Sequence, residues 1–413
     1  MSVRKRTWRT AKGEEKTAWV VDYVDRKGTR RLKTFAKKKD ADSFAATASV
    51  EVREGTHVAD RDTVTVRKAG ELWIASGQNA ELERSTINQR KRHLKFHIEP
   101  FIGDVLLSKL AVPAVRDFED RLRAEGRSPA MVKKAVGSLG SILADAIERG
   151  LATRNPVRDI SGRRKGTARR EGRARARLKV GEGIPTPGEA KALVGALQGR
   201  WRPLLMVAIF AGLRSSELRG LRWQDVDLDA RTISVRQRAD EFGEIGRPKS
   251  EAGERTIPVP PLVINALKEW KLGYSRPVIG RDDDDNPIRE DARPSHLVFA
   301  NGAGKVESHA NIVSRGLIPA MVAAGVTIDT GEKDDEGAPI LAAKYTGLHA
   351  LRHFYASWLI NRPRDGGLGL PLKVVQERMG HSSITMTADT YGHLFPRADD
   401  ADELAAAEAA LLA

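Results

Sequence analysis

Between Ser161 and Lys179 the chain carries nine lysines or arginines against a single acid, Glu171, with Gly162, Gly166 and Gly172 set among them and no apolar period. Such a stretch has nothing to bury and too much like charge to collapse, so no hydrophobic core runs through it. A chain of 413 residues interrupted here is expected to fold as separate parts joined by a basic tether. The tether's charge suits a phosphate backbone, with a contribution that weakens as salt rises; Arg163 and Arg164 are its candidate contacts. The whole chain has a formal net charge of +15, which favours a polyanionic partner, nucleic acid ahead of a membrane surface. It has no cysteine, so disulfides, thiolate metal sites and cysteine nucleophiles are excluded. That composition fits a reducing cytoplasm. Met1 to Arg6 leads into polar residues rather than an apolar segment, and no uninterrupted apolar run reaches about 18 residues, so neither a secretory signal nor a spanning helix is expected.

Upstream of the tether two parts are legible. Residues 1–60 read as three strands and a helix: Arg4 to Arg9, Ala18 to Val24, Thr29 to Phe35, then Lys37 to Arg53 with Ala41, Phe44, Ala45 and Val52 facing inward. Trp8, Arg9, Lys12, Lys16 and Arg30 make this unit a candidate DNA-binding module. Residues 62–160 read as helices: Val66 to Ser76, Ser85 toward Ile98 with Pro100 as its stop, Pro113 to Ala124, and Pro129 to Arg149. Basic residues recur on their polar faces, and Arg90, Lys91, Lys95, Lys133 and Lys134 are candidate DNA contacts. A charged helix face is also what plain solvation requires.

Downstream, the tether extends to about residue 182 and a further domain is expected over 183–396. Thr186 can cap a helix with Pro187 at its first position and Glu189 at its third. Three later stretches carry the chemistry. Ala211-Gly212-Leu213-Arg214-Ser215-Ser216-Glu217-Leu218 follows an apolar helix that stops at its glycine. His349-Ala350-Leu351-Arg352-His353 places His349 and Arg352 on one helix face. Met379-Gly380-His381-Ser382-Ser383 contains a second helix stop at Gly380, and Thr385 to Tyr391 carries the tyrosine on a separate short segment. Guanidinium groups bind phosphate oxygens bidentately and stay charged, so two of them suit the growing charge of a phosphoryl-transfer transition state. Histidines donate to such oxygens or move protons. A tyrosine hydroxyl, with a pKa of about 10, needs that cationic company to act as a nucleophile. The scheme requires no metal, nucleotide or other cofactor. His349 and His353 also have a metal-ligand spacing, but no carboxylate or cysteine completes the set.

Taken in this order, the three stretches resemble the tyrosine recombinase (phage integrase) family. The resemblance implies a multidomain, mainly α protein with small β-sheets: an arm-binding-like β-β-β-α unit, a helical core-binding domain and a mixed α+β catalytic domain. It implies that Tyr391 attacks a DNA phosphate to form a 3′-phosphotyrosine. Arg214 and Arg352 would hold the non-bridging oxygens, His349 would assist proton transfer at the nucleophile, and His381 would donate to the phosphate. Lys249, near the tip of a hairpin between Thr232 to Val235 and Arg255 to Val259, would protonate the leaving oxygen. Glu217 is a candidate for orienting an arginine. The implied partners are double-stranded DNA attachment sites and three further copies of the chain in a tetramer, with an excision factor or a host DNA-bending protein as possible accessories. The protein would be cytoplasmic and nucleoid-associated, integrating or excising a phage or other mobile element. Residues 397–413 would form a helix that docks on a neighbouring protomer. A type IB topoisomerase shares the nucleophile, and a non-catalytic DNA-binding regulator remains the alternative from another class.

Overall fold

The computed structural model describes residues 1–9, 15–25, 28–53, 63–163, 178–274, 278–281, 287–289, 296–395 and 401–413. The chain divides into two compact units, Met1–Ala174 and Arg175–Ala413. Most of the basic stretch, Arg164 included, lies outside the described residues, as do Lys12 and the acidic run Asp282 to Asp285.

The first unit holds two separate cores. An antiparallel sheet in the order β1 (Ser2–Arg9), β2 (Glu15–Val24) and β3 (Arg30–Phe35) is backed by α1 (Lys38–Arg53). Val21, Tyr23 and Ala41 are buried between them, with Trp19, Phe35, Phe44, Ala45 and Val52 packed around. Almost all of β1 is exposed. The second core joins α2 (Val66–Asn79), α3 (Arg84–His93), α4 (Val112–Ala124), α5 (Pro129–Glu148) and α6 (Pro156–Arg163) around Trp73, Leu94, Phe118, Leu139 and Leu143. Pro100 does not stop the helix that α3 begins. The rod widens into a π-helical turn, Leu94–Ile98, in which the Glu99 amide reaches back to the Leu94 carbonyl, and continues through Glu99–Ile102. The wider turn brings Pro100 into the opening positions of the next one, where its missing N–H and fixed φ are tolerated.

The second unit is organised by what it buries. Thr186 and Glu189 cap α7 (Pro187–Ala196) reciprocally, as the sequence predicts, and Glu189 also accepts from Lys344 and Tyr345. The helix α8 (Trp201–Ala211) is buried along nearly its whole length and forms the centre of the core. A short helix, α9 (Ser215–Arg219), leads into a three-stranded antiparallel sheet of β4 (Val226–Asp227), β5 (Thr232–Val235) and β8 (Arg255–Pro258). The β5–β8 hairpin is the expected one, but its excursion contains a hairpin of its own, β6 (Arg238–Ala239) with β7 (Ile245–Gly246). Asp240 to Glu244 occupies the tip, and Lys249 lies exposed on the returning limb. The helix α10 (Pro261–Tyr274) follows, then two hairpins, β9 (Val278–Arg281) with β10 (Pro287–Arg289) and, after α11 (Ile318–Ala323), β11 (Thr327–Lys333) with β12 (Pro339–Ala343). The last of these is the polar insertion before His349.

Three helices complete the site: α12 (Leu348–Ile360), α13 (Leu372–Met379) and α14 (Ile384–Tyr391). His393 then bonds the Leu178 carbonyl at 2.6 Å, tying the end of this unit to its beginning. In α15 (Ala401–Leu412), Leu404, Leu411 and Leu412 are exposed. Among the described residues no helix is long and apolar enough to cross a membrane.

Candidate active site

Two glycines end helices that point at one place. Gly212 caps α8 with φ 57° and Gly380 caps α13 with φ 62°, left-handed conformations that L side chains avoid. Their neighbourhoods leave no room for a side chain. A Cβ on Gly212 would fall 2.2 Å from the Tyr355 ring, and one on Gly380 would fall 2.8 Å from the Arg255 guanidinium. The carbonyls freed at these helix ends carry partial negative charge and accept bonds from cations. Arg352, only 2% exposed on α12, donates to the Gly212 carbonyl at 2.5 Å and to the Met379 carbonyl. Arg214 donates to the Gly380 carbonyl at 2.9 Å. The two arginines are thus gathered by backbone from both helices.

Glu217 fixes the rest. It is 3% exposed, accepts from the Arg214 guanidinium at 2.7 Å and backbone amide at 2.9 Å, and accepts from Arg255 at 2.9 Å. Burial alone would raise its carboxyl, but Arg255 and Arg214 outweigh burial and hold it down to about 2. Arg255, on β8, also donates to the carbonyls of Arg378 and Gly253, at 2.8 and 2.9 Å. Two guanidinium groups share one buried carboxylate and a third, Arg352, is held by carbonyls alone, which leaves a surplus of positive charge. Arg352 shows the strain of this: burial first, and then Arg214, push it down to about 9, still protonated at neutral pH.

Tyr391 ends α14 beside this cluster and is 2% exposed. Its hydroxyl bonds His353 Nδ1 at 2.7 Å, and its ring lies parallel to the His381 ring, with centroids 6.3 Å apart and planes within 2°. Burial pushes the phenol up to about 12, with Arg352 and Arg214 acting the other way. His381 is buried and pinned: Nδ1 meets Thr387 Oγ1 at 2.9 Å, and its carbonyl accepts from Gln376 at 2.8 Å. His353 stands edge-on to His349, ring centroids 4.4 Å apart. Burial first, then His349 and Arg352, push His353 down to about 4; burial, then Arg352 and Arg214, push His381 down to about 4 and lower His349. The imidazoles are therefore neutral at pH 7, with lone pairs available. Among the described residues no three metal-ligating side chains converge.

Of the residues singled out in the sequence, Arg214, Arg352, His381 and Tyr391 come together, with His349 at the exposed edge. Lys249 stays on the hairpin limb, and Arg255, later on the same hairpin, is the side chain that reaches the cluster. Arg255 and His353 are the residues that sequence reasoning passed over as contributors. The spacing from His349 to His353 was the one signal for the latter, and Arg255 carried none.

The DNA-contact candidates divide. Lys91, Lys95, Lys133 and Lys134 are exposed on the helical core. Arg90 departs from the expectation of an outward-facing cation: it donates to the Trp73 carbonyl at 2.7 Å and its guanidinium lies 4.3 Å from that indole's centroid. Arg163 ends α6. In the N-terminal sheet, Arg30 pairs with Asp22 at 2.5 Å.

Residues 186–397, a little over half of the chain, match the family model described as the phage integrase family. The chain belongs to the phage integrase family, whose members include the tyrosine recombinases. Among curated proteins it is 25% identical over 379 residues to a tyrosine recombinase XerC-like protein of Caldanaerobacter subterraneus subsp. tengcongensis, covering 87% of each chain. It is 25% identical to the ICEBs1 integrase of Bacillus subtilis over 75% of this chain and 76% of that one. Among solved structures, the Tn1549 transposon integrase in complex with transposon right-end DNA superposes with TM-score 0.60 at 21% identity, over 85% of this chain and all of that one. A lambda integrase tetramer bound to a Holliday junction gives TM-score 0.52 at 16% identity, over 92% and 96%. The integrase fold accounts for both units of this chain. The multidomain, mainly α architecture expected from the sequence is the one observed.

Proposed function

We propose that this chain is a site-specific DNA recombinase that cleaves and rejoins strands through a 3′-phosphotyrosine at Tyr391, in the service of a phage or other mobile element. The observation that carries the reading is the convergence of Arg214 and Arg352, held by carbonyls at two helix ends, beside a buried tyrosine. Each guanidinium commits two N–H groups to the protein and keeps the others for a ligand. A phosphodiester laid between them would have its non-bridging oxygens neutralised by donors already in place, which is where preorganised sites draw most of their rate. Tyr391 would attack phosphorus, the 5′ oxygen would leave, and the phosphotyrosine would conserve the bond for rejoining. Lys249 would reach the leaving oxygen as its hairpin closes on DNA, and His381 would donate to the phosphate.

The partners in this reading are duplex attachment sites and other copies of the chain, four at a synapsis, since one of the similar structures is a tetramer on a Holliday junction. The exposed leucines of α15 are suited to a neighbouring protomer. Lysines of the helical core and the basic stretch would grip the backbone.

Covalent trapping tests the proposal. The protein is incubated with nicked duplexes that carry its attachment core, or with fragments of its genomic neighbourhood, and resolved on a denaturing gel. A protein–DNA adduct that Tyr391→Phe abolishes is expected. An adduct that survives Tyr391→Phe overturns the assignment of the nucleophile, and no adduct on DNA that the protein demonstrably binds makes it a regulator. Relaxation of a plasmid without dependence on paired sites would make it a topoisomerase.

A further inference from the structure

Cleavage by a phenol requires a group to take its proton. The residue expected for that work, His349, does not meet the phenol in this structure: it lies at the exposed edge of the site, against the His353 ring. His381 turns a ring face toward Tyr391 and commits Nδ1 to Thr387. The ring nitrogen on the phenolic oxygen is Nδ1 of His353, at 2.7 Å, with ring centroids 5.7 Å apart.

We propose that His353 is the catalytic base of strand cleavage, taking the Tyr391 hydroxyl proton on Nδ1 as the phenolic oxygen attacks phosphorus. This rests on the reading of Tyr391 as the nucleophile. The step balances without a co-reactant. The Tyr391 O–H bond breaks and its proton passes to His353. The bond from Tyr391 Oη to phosphorus forms as the bond from phosphorus to the 5′ oxygen breaks, and that oxygen takes a proton from the acid on its own side. On rejoining, the 5′-hydroxyl returns its proton to the acid on its own side and attacks phosphorus, the bond from phosphorus to Tyr391 Oη breaks, and the phenolate takes back the proton from His353. His349, edge-on to His353 and open to solvent, is placed to pass a proton out while the covalent link persists.

The same contact restrains the free protein. Burial and the cations beside it hold His353 neutral, so Nδ1 can accept, while burial holds the phenol protonated. Transfer is therefore uphill until a phosphate arrives. The anion offsets Arg352, which keeps a proton off His353, and the phenolate's charge is taken up by the bond it forms to phosphorus. Proton transfer is thereby coupled to DNA being in the site.

The test uses the full chain and the nicked genomic duplex that yields the wild-type adduct, in two forms: the ordinary phosphodiester and one with sulfur at the 5′-bridging position, whose leaving group needs no acid. His353→Asn keeps an acceptor near the position of Nδ1 but cannot hold the proton, and His353→Leu removes both functions. Each variant's melting temperature and affinity for the duplex are measured alongside. Both variants should form adduct at least about 100-fold more slowly than wild type on both substrates, with affinity unchanged within about twofold. Lys249→Ala should be slow on the ordinary duplex only. The inference is overturned if His353→Asn cleaves at the wild-type rate, which would leave His353 a merely positioning residue, or if sulfur restores the His353 variants, which would place the residue at the leaving group. Should His353→Leu fail to fold, His353→Asn decides. An adduct that persists in Tyr391→Phe is a different result: it removes the nucleophile and the inference with it.

Discussion

Arg214 and Arg352 donate to consecutive carbonyls, Gly380 and Met379, at the end of one helix. Two residues far apart in the sequence of the second unit are therefore registered against a single turn of backbone. Because that turn depends on a left-handed glycine, the geometry of both cations depends on a residue with no side chain.

Gly380→Ala should accordingly impair cleavage more than binding. Alanine in the left-handed region costs about 1–2 kcal/mol, and its Cβ would lie 2.8 Å from the Arg255 guanidinium and 3.0 Å from the Ala252 carbonyl. The unit should still fold, melting roughly 2–4 °C lower per kcal/mol lost, while adduct formation falls at least about tenfold. Gly212→Ala should be worse. Its Cβ would lie 2.2 Å from the Tyr355 ring, which is itself buried, and the ring has nowhere to go. Thermal melts and trapping of the two variants side by side check the order, and equal loss in both would contradict it.

Glu217→Gln should destabilise the second unit by about 3 kcal/mol or more, because it leaves the buried Arg255 without its carboxylate. A carboxyl more acidic in the folded chain than in the unfolded one stabilises the fold above its unfolded pKa and ceases to do so as pH falls through the folded one. For Glu217 that window runs from about 4.5 down to about 2. Denaturant melts of wild type and variant across it should converge at the acid end. A constant gap would mean that the charge is not what matters.

The histidines act at higher pH. His381 and His353 are neutral when folded and protonate near 4, against 6.5 for the ordinary side chain. The unfolded chain takes up their protons first, so the fold loses stability as pH drops from about 6.5 toward 4 and is unaffected above that range. His381→Asn, able to bond Thr387 but unable to titrate, should reduce the pH dependence over this interval to about half, the share left by His353. It should leave the Glu217 window intact.

Much of the site was legible because its cues are local. Gly212 and Gly380 are helix stops readable from the chain, Thr186 and Glu189 form the box their spacing promises, and Glu217 lies three residues from the arginine it holds. What was not legible depends on tertiary approach. Arg255 reads as one more strand residue, and only the pairing of β8 with β5 brings it to Glu217. His349 and His353 share a helix face, and the sequence cannot say which one α14 will set Tyr391 against. Pro100 looked like a stop because a π turn is not written in residue types. Lys249 was placed at a tip that β6 and β7 extend beyond it.

Arg90 and Lys91 adjoin in sequence and should behave in opposite ways. Lys91 is exposed on α3, and if it contacts a phosphate, Lys91→Ala should weaken DNA binding similarly for all sequences and reduce the salt slope by about 1, with no change in melting. Arg90 is turned inward onto Trp73, bonding its carbonyl and covering its ring. Arg90→Ala should instead destabilise the helical core by about 1–3 kcal/mol, through the lost stacking and the unpartnered carbonyl, and lower its melting temperature accordingly. The salt slope should stay as it was. Binding titrations at several salt concentrations, together with melts of the two variants, separate these outcomes. A reduced slope in Arg90→Ala without destabilisation would show that the guanidinium leaves Trp73 for the DNA.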